Sequence, residues 1–509
     1  MSETSKKLKF AIAMLLITFL TVLFSTVIAL AAQQVTLESG VSVMYVNLKT
    51  SCKFLTFDYY NKSKHDSIIS SADINMAVDN QGLGLENNGI SLYYIMSTGS
   101  GYVLSNNEIN PGTDCSSMFE GWSGLETITF NNFNTSSATT MSRMFYNCTA
   151  LSTLSLSSFN TNLVTDMSYM FYYCNSLTSL DLRSFNFSKV TTTNSMFHMK
   201  YTVDLATESV TAYSKLKTIS LPSTISNAKI NDLRSMFYGC SSLTTLDVSN
   251  FDTSKATTMS YMFYGCSSLT TLDVSNFDTS LVTSMYEVFY NCNNVTSLDV
   301  SNFNTSKVTT MRGMFYACSS LSILDVSDFD TKLVTDMYEM FKKCNNLTSL
   351  DVSNFDTSKV TGMGLMFYNC SKLTSLDVSE FDTSKVDNMC AMFYNCLSLT
   401  SLDVSNFNTE KVETMAGMFY RCSKLSTLDV SNFNTEKVKY MSEMFSSCSH
   451  LTNLDLTSFN TSNVTSMSRM FYNCSSLTTI KATSGLWVTS QADTYYMFVY
   501  CGTSSVTYV

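Results

Sequence analysis

The chain has 509 residues, a formal net charge of −10 and only 14% charged residues. An acidic balance excludes a nucleic-acid partner, which needs a basic stripe. Two prolines, Pro111 and Pro222, leave no proline-rich linker to divide the chain. Hydrophobic residues make up 45%, enough to fold, so Ser, Thr and Asn must supply most of the polar surface.

Residues 1–32 read as a signal peptide or an N-terminal membrane anchor. Lys6, Lys7 and Lys9 precede an uncharged run from Phe10 to Ala32, and Ala29-Leu30-Ala31 is a small-residue cleavage site. The run is also long enough to cross a bilayer, so residues 10–32 could attach the chain to a membrane. Either way, the positive-inside rule places the rest outside the cytoplasm. Residues 33–114 hold short β-prone runs, Val41–Val46 and Ile90–Ile95, before the turn-forming Ser97-Thr98-Gly99-Ser100-Gly101. They are expected to form a β-rich N-terminal cap, with a separate small binding domain as the alternative.

Residues 115–501 are dominated by a repeat. Ten cysteines from Cys240 to Cys474 stand 26 residues apart, and Cys148 and Cys174 share that spacing. Trp122 fills the same slot one period earlier, and Cys501 follows Cys474 by 27 residues. Lys200 takes the slot beside an insertion at 201–213. In the unit Val295–Ser320, Leu298 and Val300 alternate with Ser297, Asp299 and Ser301, which is strand periodicity. Asn302-Phe303-Asn304-Thr305 reads as a turn. Val308, Met311, Met314, Phe315 and Cys318 then lie on one face of a helix. The expected fold is an α/β solenoid of about fourteen strand–turn–helix units whose stacked strands share one core. Residues 502–509 are read as a C-terminal tail.

These phrases resemble leucine-rich repeats, and more closely the BspA-type leucine-rich-repeat surface proteins. Leu269–Ser280 and Met262-Phe263-Tyr264-Gly265-Cys266 carry the likeness. The resemblance implies a right-handed coil and a microbial surface protein, often an adhesin on host or neighbouring cells. Relatives can carry lipid or wall anchors, and this chain shows neither motif.

Stacking turns each repeat position into a file of side chains. The Phe file (Phe251 to Phe433) and the Met files are expected in the core, and the in-register cysteines as buried thiols. Cys52, Cys115 and Cys390 stand off register and are the better disulfide candidates. Asp247, Asp273, Asp299, Asp325, Asp351, Asp377, Asp403, Asp429 and Asp455 alternate with buried residues and so point outward. They are a solvated face, a surface for a basic protein, or carboxylates sharing calcium. No other cofactor is expected. Tyr146, Tyr172, Tyr238, Tyr264, Tyr290, Tyr316, Tyr368, Tyr394, Tyr420 and Tyr472 fall off the apolar side of a helical wheel. They form a second, partly exposed candidate surface, or else shield the next segment.

An enzyme is not expected. The three histidines, His65, His198 and His450, lie far apart in the sequence, and no phosphate-binding glycine motif occurs. His198 and Lys200 beside the insertion are the one irregular spot, and insertions in solenoids often bind. The expected function is protein binding or adhesion to an extracellular or cell-surface ligand. The alternative is a structural spacer or envelope-layer protein without a specific ligand.

Overall fold

The computed structural model describes residues 51–72, 74–77, 91–95, 97–105, 108–204, 210–223, 225 and 229–509. The segment 1–32 and the run Val41–Val46 lie outside these residues. Among the described residues no helix is long and apolar enough to cross a membrane. They form two compact units, one ending at Asn250 and the other running from Phe251 to Val509.

The first unit opens with strand β1 (Phe54–Tyr59) and helix α1 (Lys62–Ser71). Asn61 caps α1: its side-chain oxygen accepts from the Lys64 N–H, while the buried His65 Nδ1 accepts from the Asn61 N–H. Strands β2 (Ile74–Ala77), β3 (Ser91–Ile95) and β4 (Ser100–Ser105) pair antiparallel. β4, β1, β5 (Thr127–Phe130) and β6 (Thr153–Leu154) continue the sheet in parallel, in the order β2-β3-β4-β1-β5-β6. β1 therefore stands where a coil before the first repeat would stand. Its fully buried Phe57 packs 5.6 Å from Phe130 and 5.0 Å from Phe133, centroid to centroid. That contact covers the apolar end that a stack of repeats cannot leave in water.

Further along this unit, β7 (Ser179–Asp181) pairs in parallel with β10 (Thr218–Ser220). Between them the insertion folds as a hairpin of β8 (Tyr201–Val203) and β9 (Val210–Ala212). In the second unit, β11 (Asn453–Leu456), β12 (Thr479–Ala482) and β13 (Thr507–Tyr508) form a parallel sheet.

The repeats stack as coils, but they are not strand–turn–helix units. The expected return helix is a chain of tight turns. In it, alternate residues do two different things. Met311, Gly313, Phe315 and Ala317 donate their N–H groups to Asp336, Tyr338, Met340 and Lys342 of the next coil at 2.7–3.0 Å. Met314, Tyr316 and Cys318 donate back three residues within their own coil. A helix is barred because every fourth residue is left-handed: Gly313 and Ala317 here, Glu339 and Lys343 in the next coil. Each non-glycine residue in that conformation costs about 1–2 kcal/mol. The burial of each Met and Phe, about 1.5–3 kcal/mol per side chain, offsets it. The apolar spacing read as a helical face is real, since Val308, Met311, Met314, Phe315 and Cys318 are at most 1% exposed. A turn chain that brings side chains inward at the same offsets produces the same pattern.

The expected strands are also fewer. In the second unit Leu-Asp-Val segments such as Leu298–Val300 alternate buried and exposed residues as strands do, but no backbone hydrogen bond joins one such segment to the next among the described residues. The stack is held on its turn face instead. Tyr rings there stand 4.0–4.6 Å apart, and the core Phe rings behind them 5.7–5.9 Å.

Candidate functional site

Three files of polar groups run inside or along the stack. The first is the thiol file. Cys318 is buried and donates its S–H to the Phe289 carbonyl of the preceding coil at 3.2 Å, and Cys344, Cys370, Cys396, Cys422, Cys448 and Cys474 do the same. Burial pushes the Cys292 and Cys370 thiols up to about 12, so neither forms a thiolate at neutral pH. All sixteen cysteines are free thiols, which corrects the disulfide expectation for Cys52, Cys115 and Cys390. Cys52 is buried and donates to the nearby Phe54 carbonyl, at 3.6 Å.

The second file was not anticipated. Thr279, Thr305, Thr331, Thr357, Thr383, Thr409 and Thr435 are buried, and each hydroxyl donates to a carbonyl 25 residues on, as Thr305 does to Asp330 at 3.0 Å. The recurring Phe-Asn/Asp-Thr phrase was its signal, since a buried hydroxyl needs a fixed partner in every coil.

The third file is the Asp face. Asp247, Asp273, Asp299, Asp325, Asp351, Asp377, Asp403, Asp429 and Asp455 are all exposed. Each closes a small turn: Asp299 Oδ1 accepts from both the N–H and the hydroxyl of Ser301, at 3.1 and 2.7 Å. Those bonds hold Asp351 below the usual carboxylate range, against a small opposing push from Asp325. In the second unit Asp351, Asp377, Asp403, Asp429 and Asp455 border a shallow groove of 890 Å³ with Leu350, Leu376, Leu402 and Leu428 on its floor. At ladder spacing, about 5 Å, like charges on neighbouring coils would repel by about 1 kcal/mol in water. One exposed backbone hydrogen bond contributes a net free energy of similar size, about 0.5–1.5 kcal/mol. Among the described residues no three His, Cys, Asp or Glu side chains converge to hold a metal ion.

The tyrosine file is less exposed than the helical wheel implied. Tyr264, Tyr290 and Tyr316 are buried at 6–8% exposure, stacked 4.3 and 4.0 Å apart. Tyr238, Tyr368, Tyr394 and Tyr420 are half-buried. The reason is the missing helix: the turn chain aligns the rings face to face, and each covers its neighbour. Lys342 interrupts the file, its ammonium 5.0 Å from the Tyr316 ring and 5.2 Å from the Tyr368 ring, and 2.7 Å from Glu339. Two coils earlier, burial pushes the Glu287 carboxyl up to about 7.

In the first unit His198 stands in the same file. Its ring stacks 4.5 Å from Tyr172 and 4.1 Å from Tyr238, and its buried Nδ1 has no hydrogen-bond partner. Burial pushes its pKa down to about 3, so the ring is a neutral stacking element. Lys200 lies 4.7 Å over the Tyr213 ring beside the hairpin. In the first unit His65 lies on α1 beside Asp58, away from the tyrosine file that holds His198, and in the second unit His450 bonds Ser449.

One solved structure, described as the functional domain of InlJ from Listeria monocytogenes that includes a cysteine ladder, is similar at 15% identity and a TM-score of 0.18. The match covers 75% of this chain and 70% of that one. No curated protein matches the sequence. The family described as "Mycoplasma protein of unknown function, DUF285" matches at 113–229, 207–322, 231–347, 283–402 and 398–506. Because these matches together span most of its length, the chain belongs to the DUF285 repeat family.

Proposed function

We propose that this chain is a repetitive, BspA-like surface protein that binds a basic extracellular or cell-surface partner through its Asp face. The observation that carries the reading is the file of exposed carboxylates bordering the leucine-floored groove of the second unit. A carboxylate in every coil offers one anionic contact per repeat, and such contacts steer and select a cationic partner. The reading is non-catalytic: the face repeats one acid without a partnered base, and repetition suits additive binding.

The test is binding of the full chain to an immobilised lysine-rich peptide, with a glutamate-rich peptide as control. Converting Asp351, Asp377, Asp403 and Asp429 to Asn is expected to weaken the first by at least about tenfold, and rising salt to weaken it further. Equal retention on both peptides, or affinity untouched by the four substitutions, overturns the proposal. Self-association without peptide binding would favour the spacer reading instead. The exported location rests on residues 1–32. Resistance of the protein to protease added to intact cells would sink it.

A further inference from the structure

The Asp face is open wherever two aspartates face each other across neighbouring coils of the second unit, and it closes into a ladder only at places where one of them is replaced. Seven consecutive Asp–Asp pairs, from Asp273–Asp299 to Asp429–Asp455, lack ladder hydrogen bonds at the Leu-Asp-Val residues themselves, although Thr296 and Thr374 just upstream donate their N–H groups to Thr270 and Thr348 at 3.3 Å. β11 shows both states in one strand. On one side Asp455 registers with Lys481, and Asn453–Leu456 pairs in full with Thr479–Ala482. On the other side the same residues face Leu428–Val430, with Asp429 opposite Asp455, and no backbone bond forms. In the first unit Asp181 registers with Ser220, and β7 pairs with β10. The converse is weaker: Ser155 and Asp181 meet without a ladder, and Ser220 and Asp247 meet beside a single isolated bridge at Thr218 and Thr245, so removing a like charge permits closure and does not compel it.

From this we infer that the Asp file is an electrostatic spacer: mutual repulsion holds the Leu-Asp-Val segments apart, and neutralising the file lets them zip into a parallel sheet. The coils are already anchored on the turn face, so closure needs only a small approach on the far side. The 26-residue period puts equivalent backbone groups on neighbouring coils in line, as a ladder requires. Repulsion and ladder bonds are of the same size, so the balance tips on charge. The inference concerns the chain alone and stands whether or not a basic partner binds.

The test is residue-resolved amide hydrogen exchange on the full chain. Replacing Asp299, Asp325, Asp351, Asp377 and Asp403 together by Asn is expected to slow exchange in segments 298–300 to 402–404 by about tenfold or more. Lys481→Asp is expected to do the reverse, speeding exchange in 454–456 and 480–482 by about tenfold. Amides of the turn chain, such as Phe315 and Phe341, report whether each variant is folded. Unchanged exchange in the Asn variant, or retained protection in Lys481→Asp, overturns the inference. A third variant keeps every Asp and changes Val300, Val326, Val352, Val378 and Val404 to Leu, the residue that follows Asp181 and Asp455. Closure of the ladder in that protein would assign the gap to packing and overturn the electrostatic account.

Discussion

The two faces of one coil obey different rules. On the turn face, backbone groups reach from coil to coil at hydrogen-bond distance, and the side chains behind them, Met314, Phe315 and Cys318, are fully buried or nearly so. On the Asp face the Leu-Asp-Val segments from Leu272 to Val430 make no such bonds, and the polar groups serve their own turn, as Asp299 does with Ser301. Stability therefore resides on one side of the stack, and the other side is free to present charge. A repeat protein in which only one face carries the structure can vary or load the opposite face without loosening its coils.

The strongest way to break this contrast is to empty the turn face. Phe315→Ala removes a ring stacked between Phe289 and Phe341 at 5.7 Å on each side. It is expected to cost about 3–5 kcal/mol in denaturant unfolding. A loss below about 1 kcal/mol would mean that the core is not where the coils are held. A smaller effect comes from His198, the irregular member of the tyrosine file. Its pKa is about 3 when folded against an ordinary value of 6.5. The unfolded chain then binds more protons between those values, so stability falls as pH falls through that window. The slope reaches about 1.4 kcal/mol per pH unit at most. His198→Phe keeps a stacked ring and is expected to remove that slope. Subtracting the two curves isolates the histidine from Glu287, whose raised pKa acts with the opposite sign in the second unit. If the two melting temperatures track each other from pH 7 to 4, His198 is not held neutral. The smallest effect is expected on the Asp face. A single Asp351→Asn should change stability by no more than about 0.5 kcal/mol, as exposed substitutions do. A loss beyond about 1.5 kcal/mol would show that this face is structural after all.

Most of the stack could be read from residues. The period, the buried Phe and Met files, the buried thiols and the outward Asp file follow from which side chains must leave water. The backbone path did not follow. Offsets of 0, 3, 6, 7 and 10 say which residues turn inward but not how the chain travels between them, and left-handed residues such as Glu339, Leu365 and Lys343 carry no glycine signature. The tyrosine file met its expected partial exposure at Tyr368, Tyr394 and Tyr420 but not at Tyr264, Tyr290 and Tyr316, which the turn chain stacks face to face and covers. The missing ladder was equally hidden, because alternation marks an extended segment whether or not a neighbour bonds to it. The Thr file was written in the sequence as plainly as the cysteines, and a hydroxyl beside a buried Phe should have been read as satisfied within the core.

The buried thiols also give the protein a built-in counter. Of the sixteen, only Cys390 and Cys501 are partly open to solvent. A coil that comes undone surrenders its own sulfhydryl to an alkylating reagent, and its neighbours keep theirs. Mass spectrometry of the labelled chain can therefore report which repeats open and in what order, without any engineered probe.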